Sequence, residues 1–150
     1  MRILVVCMGN ICRSPMAEIV LKDKVHKYKK EWLIESAGTI GFHEGENADE
    51  RAIKTCYKHG LDLSRHRARQ FKVSDFENYD HILVMDRTNL RDVNSKARTE
   101  YDRNKVRFFT HLSKTSPNSE VPDPYYEGNS GFDLVFNQLD EAAECLIKLL

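Results

Sequence analysis

Cys7-Met8-Gly9-Asn10-Ile11-Cys12-Arg13-Ser14-Pro15 follows directly on the apolar run Ile3-Leu4-Val5-Val6, and its reading decides the fold. Met1–Val6 reads as a short buried strand, because Ile3–Val6 is continuously apolar rather than alternating, the pattern of a strand buried on both faces. Gly9 allows close backbone approach, and Asn10 tolerates a left-handed conformation. Pro15 suits the first turn of a helix, where an N–H has no partner to lose. The stretch therefore reads as strand, loop, helix. Ala17, Leu21, Val25 and Tyr28 continue the helix at its proper spacing.

The same alternation runs on through the chain. Leu33–Ala37 is expected as a second strand stopped by Gly38. Ala48–His59 is expected as a helix with Ala52, Ile53 and Cys56 inward and Gly60 as its stop. Ile82–Met85 reads as a third strand, Thr88–Ala97 as a short polar helix and Val106–Phe109 as a fourth strand. A last helix from about Ser130 carries Phe132, Val135, Phe136, Leu139, Ala143 and Leu146 as its core stripe. Strands alternating with helices predict an α/β fold, a parallel sheet with helices on both faces, in one domain spanning 1–150. The connection Thr110–Gly128 is unusually long and rich in Pro, Ser and Asp. Long connections of this kind are often functional. Ligands of open parallel sheets sit beyond the carboxyl ends of the strands. Cys7, Ser36, Gly38, Asp86 and the Asp123 loop all fall on that edge.

The Cys7–Pro15 loop has the parts of an oxyanion site. A loop closing onto a helix N-terminus points backbone N–H groups inward, including those of Met8, Gly9, Asn10, Ile11 and Cys12. Arg13 adds a planar fork of donors for two phosphate oxygens. A helix N-terminus beside a guanidinium is also the setting that favours a thiolate, so Cys7 is the candidate nucleophile, with Ser14 within reach of its sulfur. A metal site fits poorly, because Cys7 and Cys12 lack two further ligands at zinc-like spacing. A dithiol redox site usually spaces its cysteines more closely, and a nucleotide loop needs Gly-Lys-Ser/Thr. The second component is Pro122-Asp123-Pro124-Tyr125-Tyr126. Asp123, held by flanking prolines, can protonate a phenolic leaving group. Tyr125 and Tyr126 can wall a slot for an aromatic ring. Taken alone, that segment reads as an ordinary Asp-Pro turn with two half-exposed tyrosines; the Cys7 loop beside it favours the functional reading.

Together, the Cys7–Pro15 loop and Asp123-Pro124-Tyr125-Tyr126 resemble the two hallmark motifs of the low-molecular-weight protein tyrosine phosphatases. Glu35-Ser36-Ala37-Gly38-Thr39, His66-Arg67-Ala68-Arg69-Gln70 and Met85–Asp92 extend the similarity over nearly the whole chain. The resemblance implies a four-stranded parallel sheet. It implies Cys7 as nucleophile, Arg13 as transition-state binder and Asp123 as general acid and then base. It implies that Asn10, Ser14, Ser36 and His66 hold the loop and that Asp86 orients Arg13. From the residues alone, His66 is a surface histidine in the basic run Arg65–Arg69 and Asp86 a helix cap. At the rim, Phe42 stands where relatives carry Trp or Tyr, followed by His43. The resemblance also points to a reversible Cys7–Cys12 disulfide. The bland alternative is that Cys12 fills space behind the loop.

The implied substrate is a phosphotyrosine-bearing protein, a bacterial tyrosine kinase among the candidates, with no cofactor and no metal. A thiol-dependent arsenate reductase would need two further cysteines close in sequence. Here only Cys56 and Cys145 remain, far apart. A phosphoarginine phosphatase fits Ile11 less well than an aromatic substrate does. A non-catalytic phosphopeptide module would be expected to lack the nucleophile or the acid. Lys plus Arg is 23 and Asp plus Glu is 23, so nothing global points to nucleic acid or an anionic membrane. With 41% hydrophobic and 31% charged residues, no signal peptide and no long apolar stretch, a cytoplasmic monomer or weak homodimer is expected.

Overall fold

The apolar run at the N-terminus becomes β1 (Arg2–Cys7), the strand around which the rest assembles. A computed structural model describes residues 1–150. β1 lies between β2 (Leu33–Gly38) and β3 (His81–Val84), with β4 (Val106–Phe108) at the far edge. The order is β2-β1-β3-β4, and every pairing is parallel. Side chains alternate across a strand, so β1 supplies two cores. Ile3, Val5 and Cys7 face one cluster, and Leu4 and Val6 face the other. That explains why the run has no polar member: both faces of the sheet are covered.

The first face is covered by α1 (Arg13–Lys27), α2 (Glu50–Lys58) and α6 (Gly128–Leu149). Met16, Val20 and Leu21 of α1 meet the expected stripe of α6, with Phe132, Val135, Phe136, Leu139, Ala143 and Leu146 all buried. The second face is covered by α3 (Asp75–Asn78) and α4 (Arg87–Asn94), through Phe76 and Val93. A short α5 (Glu100–Asn104) leads into β4. No helix is long and apolar enough to cross a membrane.

Several boundaries differ from the sequence expectation, each for a local reason. β1 and β2 run on to Cys7 and Gly38, which pair with each other across the sheet. β3 starts one residue early, at His81, and β4 ends at Phe108. Tyr28 is not in the α1 stripe: it caps the helix, is exposed, and donates its hydroxyl to Glu144. α2 is shorter than expected because Asp49 caps it, accepting from the Arg51 N–H at 2.8 Å. α4 stops at Asn94 rather than Ala97. α3 and α5 are too short to show helical periodicity. α5 is set by its cap, Thr99 Oγ1 accepting from Asp102 N at 3.2 Å, and α3 by the burial of Phe76. The long connection contains a 3-10 turn at Pro124–Tyr126, and α6 begins at Gly128, whose φ of 72° is left-handed.

Leu21 is fully buried between α1 and the sheet. Leu21→Ala is expected to lower unfolding free energy by about 2–5 kcal/mol, read as a shift in the denaturant midpoint without a change in slope.

Candidate active site

Between Cys7 and Arg13 the backbone turns back on itself around the Cys7 sulfur. The turn depends on Asn10, whose φ is 57° and which is fully buried. Its own N–H points at Cys7 Sγ at 3.3 Å. Its side-chain amide donates to Ser14 Oγ at 2.8 Å and to Ser36 Oγ at 3.0 Å. Its Oδ1 accepts from the Arg69 N–H at 3.0 Å, and its carbonyl accepts from His66 Nε2 at 2.8 Å. That last bond fixes the His66 tautomer, since a carbonyl can only accept. Burial lowers the His66 pKa, against the opposing pull of the Asn10 carbonyl and Glu18.

Ser14 Oγ lies 3.0 Å from Cys7 Sγ and 3.4 Å from the Ala37 carbonyl. Asn10 already donates to that oxygen, so the hydroxyl's own proton is directed to one of two acceptors, the Cys7 sulfur at 3.0 Å or the more distant Ala37 carbonyl at 3.4 Å. Ser36 passes its own proton to Glu18 Oε1 at 2.5 Å. Asn10 and Ser14 thus lie behind the loop rather than in its mouth, and the cavity is lined by Met8, Gly9, Ile11 and Cys12 from the loop itself.

Arg13 is only 3% exposed, and its guanidinium is held from three sides. Nη1 donates to Asp86 Oδ2 at 2.6 Å and to the Val121 carbonyl at 3.0 Å. Nη2 lies 3.7 Å from Asp123 Oδ2. Burial opposes the charge, but Cys7, Asp86 and Asp123 outweigh it and raise the Arg13 pKa. Asp86 does both things considered for it: its other oxygen accepts from Asn89 N at 2.8 Å and caps α4.

The cavity of about 220 Å³ has Cys7 and Arg13 at its floor and Phe42, Asp123, Tyr125 and Tyr126 at its walls. Tyr126 and Phe42 stand on the lip, 88% and 81% exposed, and Tyr125 is nearer the wall. Asp123 accepts from the Tyr125 N–H at 3.1 Å and lines the cavity. All four cysteines are free and buried. The Cys12 thiol is pushed well up by burial, then by Asp49 and Cys7, and Cys56 is pushed up by burial to about 12.

The match to known proteins agrees with this geometry. Residues 2–150 match the family described as low molecular weight phosphotyrosine protein phosphatase. This chain belongs to that family. A Schizosaccharomyces pombe low molecular weight phosphotyrosine protein phosphatase is 38% identical over 98% of this chain and 95% of its own. A Streptomyces coelicolor low molecular weight protein-tyrosine-phosphatase is 41% identical over 97% of this chain and 91% of its own. The solved structure of an Entamoeba histolytica protein tyrosine phosphatase superposes with a TM-score of 0.93 at 37% identity, covering 99% of this chain and 95% of that one. Low-molecular-weight phosphatase architecture is thus shared along almost the entire length.

Three contributors to this phosphatase site were missed from sequence. His43 lines the cavity, edge-on to Phe42 and bonded to Glu46. Its ring passes so near Gly9 that a Cβ there would lie 3.2 Å away. Glu18 and Arg51 were also missed, because a carboxylate on an amphipathic helix and an arginine in a first turn carry no signal of their own. Gly38, expected as a strand stop on the ligand edge, has a stricter reason to be glycine: a Cβ would lie 2.6 Å from the Met8 carbonyl. Gly38→Ala must therefore displace the phosphate loop. It is expected to weaken vanadate inhibition and lower kcat/KM by about 10²-fold, measured against wild type at equal folded fraction.

Proposed function

We propose that this chain hydrolyses phosphotyrosine in proteins through a phosphocysteine on Cys7. The observation that carries the reading is the convergence on one small cavity of a sulfur, a buried guanidinium and a carboxylate. The Cys7 thiolate attacks phosphorus in line with the departing phenolic oxygen. The S–P bond forms as the P–O bond breaks, and Asp123 gives its proton to the leaving oxygen. Water then attacks the phosphocysteine, Asp123 takes a proton from it, and phosphate leaves as the thiolate is restored. Arg13 and the loop N–H groups hold the equatorial oxygens in both steps, where charge is greatest.

The phosphate site lies at the bottom of the cavity, and the aromatic side chains stand at its mouth. That depth suits an aryl phosphate, whose ring spans the distance, better than a short alkyl one. Ile11 and Met8 offer apolar contact to the ring face. The Ser14 hydroxyl stabilises the thiolate both before attack and as leaving group in the second step.

Cys7→Ser is expected to abolish hydrolysis while retaining phosphate binding. Near wild-type turnover by that variant would exclude the mechanism. Asp123→Asn is expected to lower kcat/KM for phosphotyrosine by about 10²–10⁴-fold. The loss should shrink for esters whose leaving group is already a weak base, such as p-nitrophenyl phosphate. An equal loss on every leaving group would show that Asp123 is not the proton donor.

A further inference from the structure

Arg51 lies outside the cavity, yet it is the link between the two halves of the site. It sits in the first turn of α2, after Asp49. Asp49 grips it with both carboxylate oxygens: Oδ1 accepts from Nε at 3.0 Å and Oδ2 from Nη2 at 2.9 Å. The remaining Nη1 donates to the Tyr125 carbonyl at 2.9 Å. The guanidinium carbon lies 5.3 Å from the centre of the Tyr125 ring and 4.7 Å from that of Phe132. Asp49 is itself tied to the phosphate loop, its N–H donating to the Ile11 carbonyl at 2.9 Å. A continuous path thus runs from Ile11 through Asp49 and Arg51 to Tyr125, and from the Tyr125 N–H to the Asp123 carboxylate.

The acid loop needs such a tie. Upstream of Asp123 the loop is held where Arg13 Nη1 donates to the Val121 carbonyl at 3.0 Å; at Asp123 itself the contact with Arg13 is 3.7 Å, too long for a direct hydrogen bond, and the Tyr125 side of the turn is held by Arg51. The exposed Tyr126 gives no anchor. A fork held by one carboxylate has little rotational freedom left, so its third donor fixes the Tyr125 carbonyl in direction as well as distance.

We propose that Arg51 is a positioning residue for proton transfer: gripped by Asp49, it fixes the Asp123–Tyr125 turn relative to the phosphate loop. The proposal rests on the reading of Asp123 as proton donor. Proton transfer tolerates little misplacement, whereas phosphate binding by the Cys7 loop does not involve Arg51. The signature of its loss is therefore a defect that grows with the basicity of the leaving group.

The test compares Arg51→Met, Arg51→Lys, Asp123→Asn and the double variant Asp123→Asn/Arg51→Met on phenyl phosphate and p-nitrophenyl phosphate, with vanadate inhibition alongside. Met keeps an apolar stem beneath Tyr125 and Phe132, while Lys keeps the charge without the fork. Arg51→Met is expected to lower kcat/KM on phenyl phosphate by about 10–10²-fold, with a much smaller loss on p-nitrophenyl phosphate and vanadate inhibition close to wild type. Arg51→Lys should fall between it and wild type. The double variant should be no slower than Asp123→Asn, because a misplaced donor that is already absent costs nothing more. Equal losses on both esters, or losses that multiply in the double variant, would overturn the Arg51 role. Should Arg51→Met fold poorly, Arg51→Lys alone still decides, since a positioning defect is ester-selective and general destabilisation is not. If Asp123→Asn itself showed no dependence on the leaving group, the donor reading would fail first, and that outcome is visible without any Arg51 variant.

Discussion

The site depends on a left-handed, fully buried asparagine. To turn successive N–H groups toward one centre, the loop must reverse its curvature, and Asn10 is where it does so. Holding a residue with a side chain there costs on the order of 1–3 kcal/mol. Against this stand the bonds to Ser14, Ser36, His66, Arg69 and Cys7, which use its amide, both carbonyl oxygens and its N–H. At about 0.5–1.5 kcal/mol net for each bond, the partners outweigh the strain. Glycine would take the conformation more cheaply but could not reach Ser14, Ser36 or the Arg69 amide. The same contacts explain the basic run after Ser64. Arg69 is not simply solvated: its guanidinium grips the buried carboxylate of Asp75 at 3.0 and 3.1 Å. That grip sets the position of the Arg69 N–H facing Asn10.

Charge is arranged around the loop with similar economy. Arg13 is buried but never isolated, since Asp86 and the Val121 carbonyl take Nη1 and leave Nη2 toward Asp123 and the cavity. One side of the fork is thus structural and the other is turned toward the site. Cys12, a neighbour of Cys7 in charge and in space, has its thiol form favoured by burial and by Asp49. Two cysteines in one loop, both packed on the same apolar cluster, therefore differ in their polar neighbours: Cys7 has a hydroxyl and an N–H donor, and Cys12 has the Asp49 carboxylate.

Much of this was legible in the sequence because it is carried by local pattern. The unbroken apolar run before Cys7 and the stripe from Phe132 to Leu146 are long enough to define a central strand and a packed helix. The Cys7–Ser14 spacing points to its chemistry by residue type, and the Pro-flanked Asp123 does so only once that loop is beside it. What stayed hidden is carried by distant partners. α3 is set by the burial of one phenylalanine, Phe76, rather than by periodicity. His66 reads as a surface histidine until the fold brings it to the Asn10 carbonyl, 56 positions away in sequence. Glu18, His43 and Arg51 are ordinary residues on helices or loops, and only the packing of β2, α2 and the acid loop against the Cys7 turn gives them a role. Strand ends put Ser36 and Asp86 on the ligand edge, but their roles, and that of His66, came only with the resemblance to a known family.

The strand that carries the nucleophile is completed by residues far from it in sequence. β1 lies in the middle of the sheet, and the helix that closes its first face, α6, is the final element of the chain. The partners of Arg13 arrive at positions 86 and 121. The pocket around Cys7 is thus a long-range property: the guanidinium of Arg13 is compensated only where Asp86 and Val121 reach it, and the apolar side of the strand is covered only where Phe132 to Leu146 pack. Local opening of the last helix therefore exposes the underside of the nucleophile's strand together with the core.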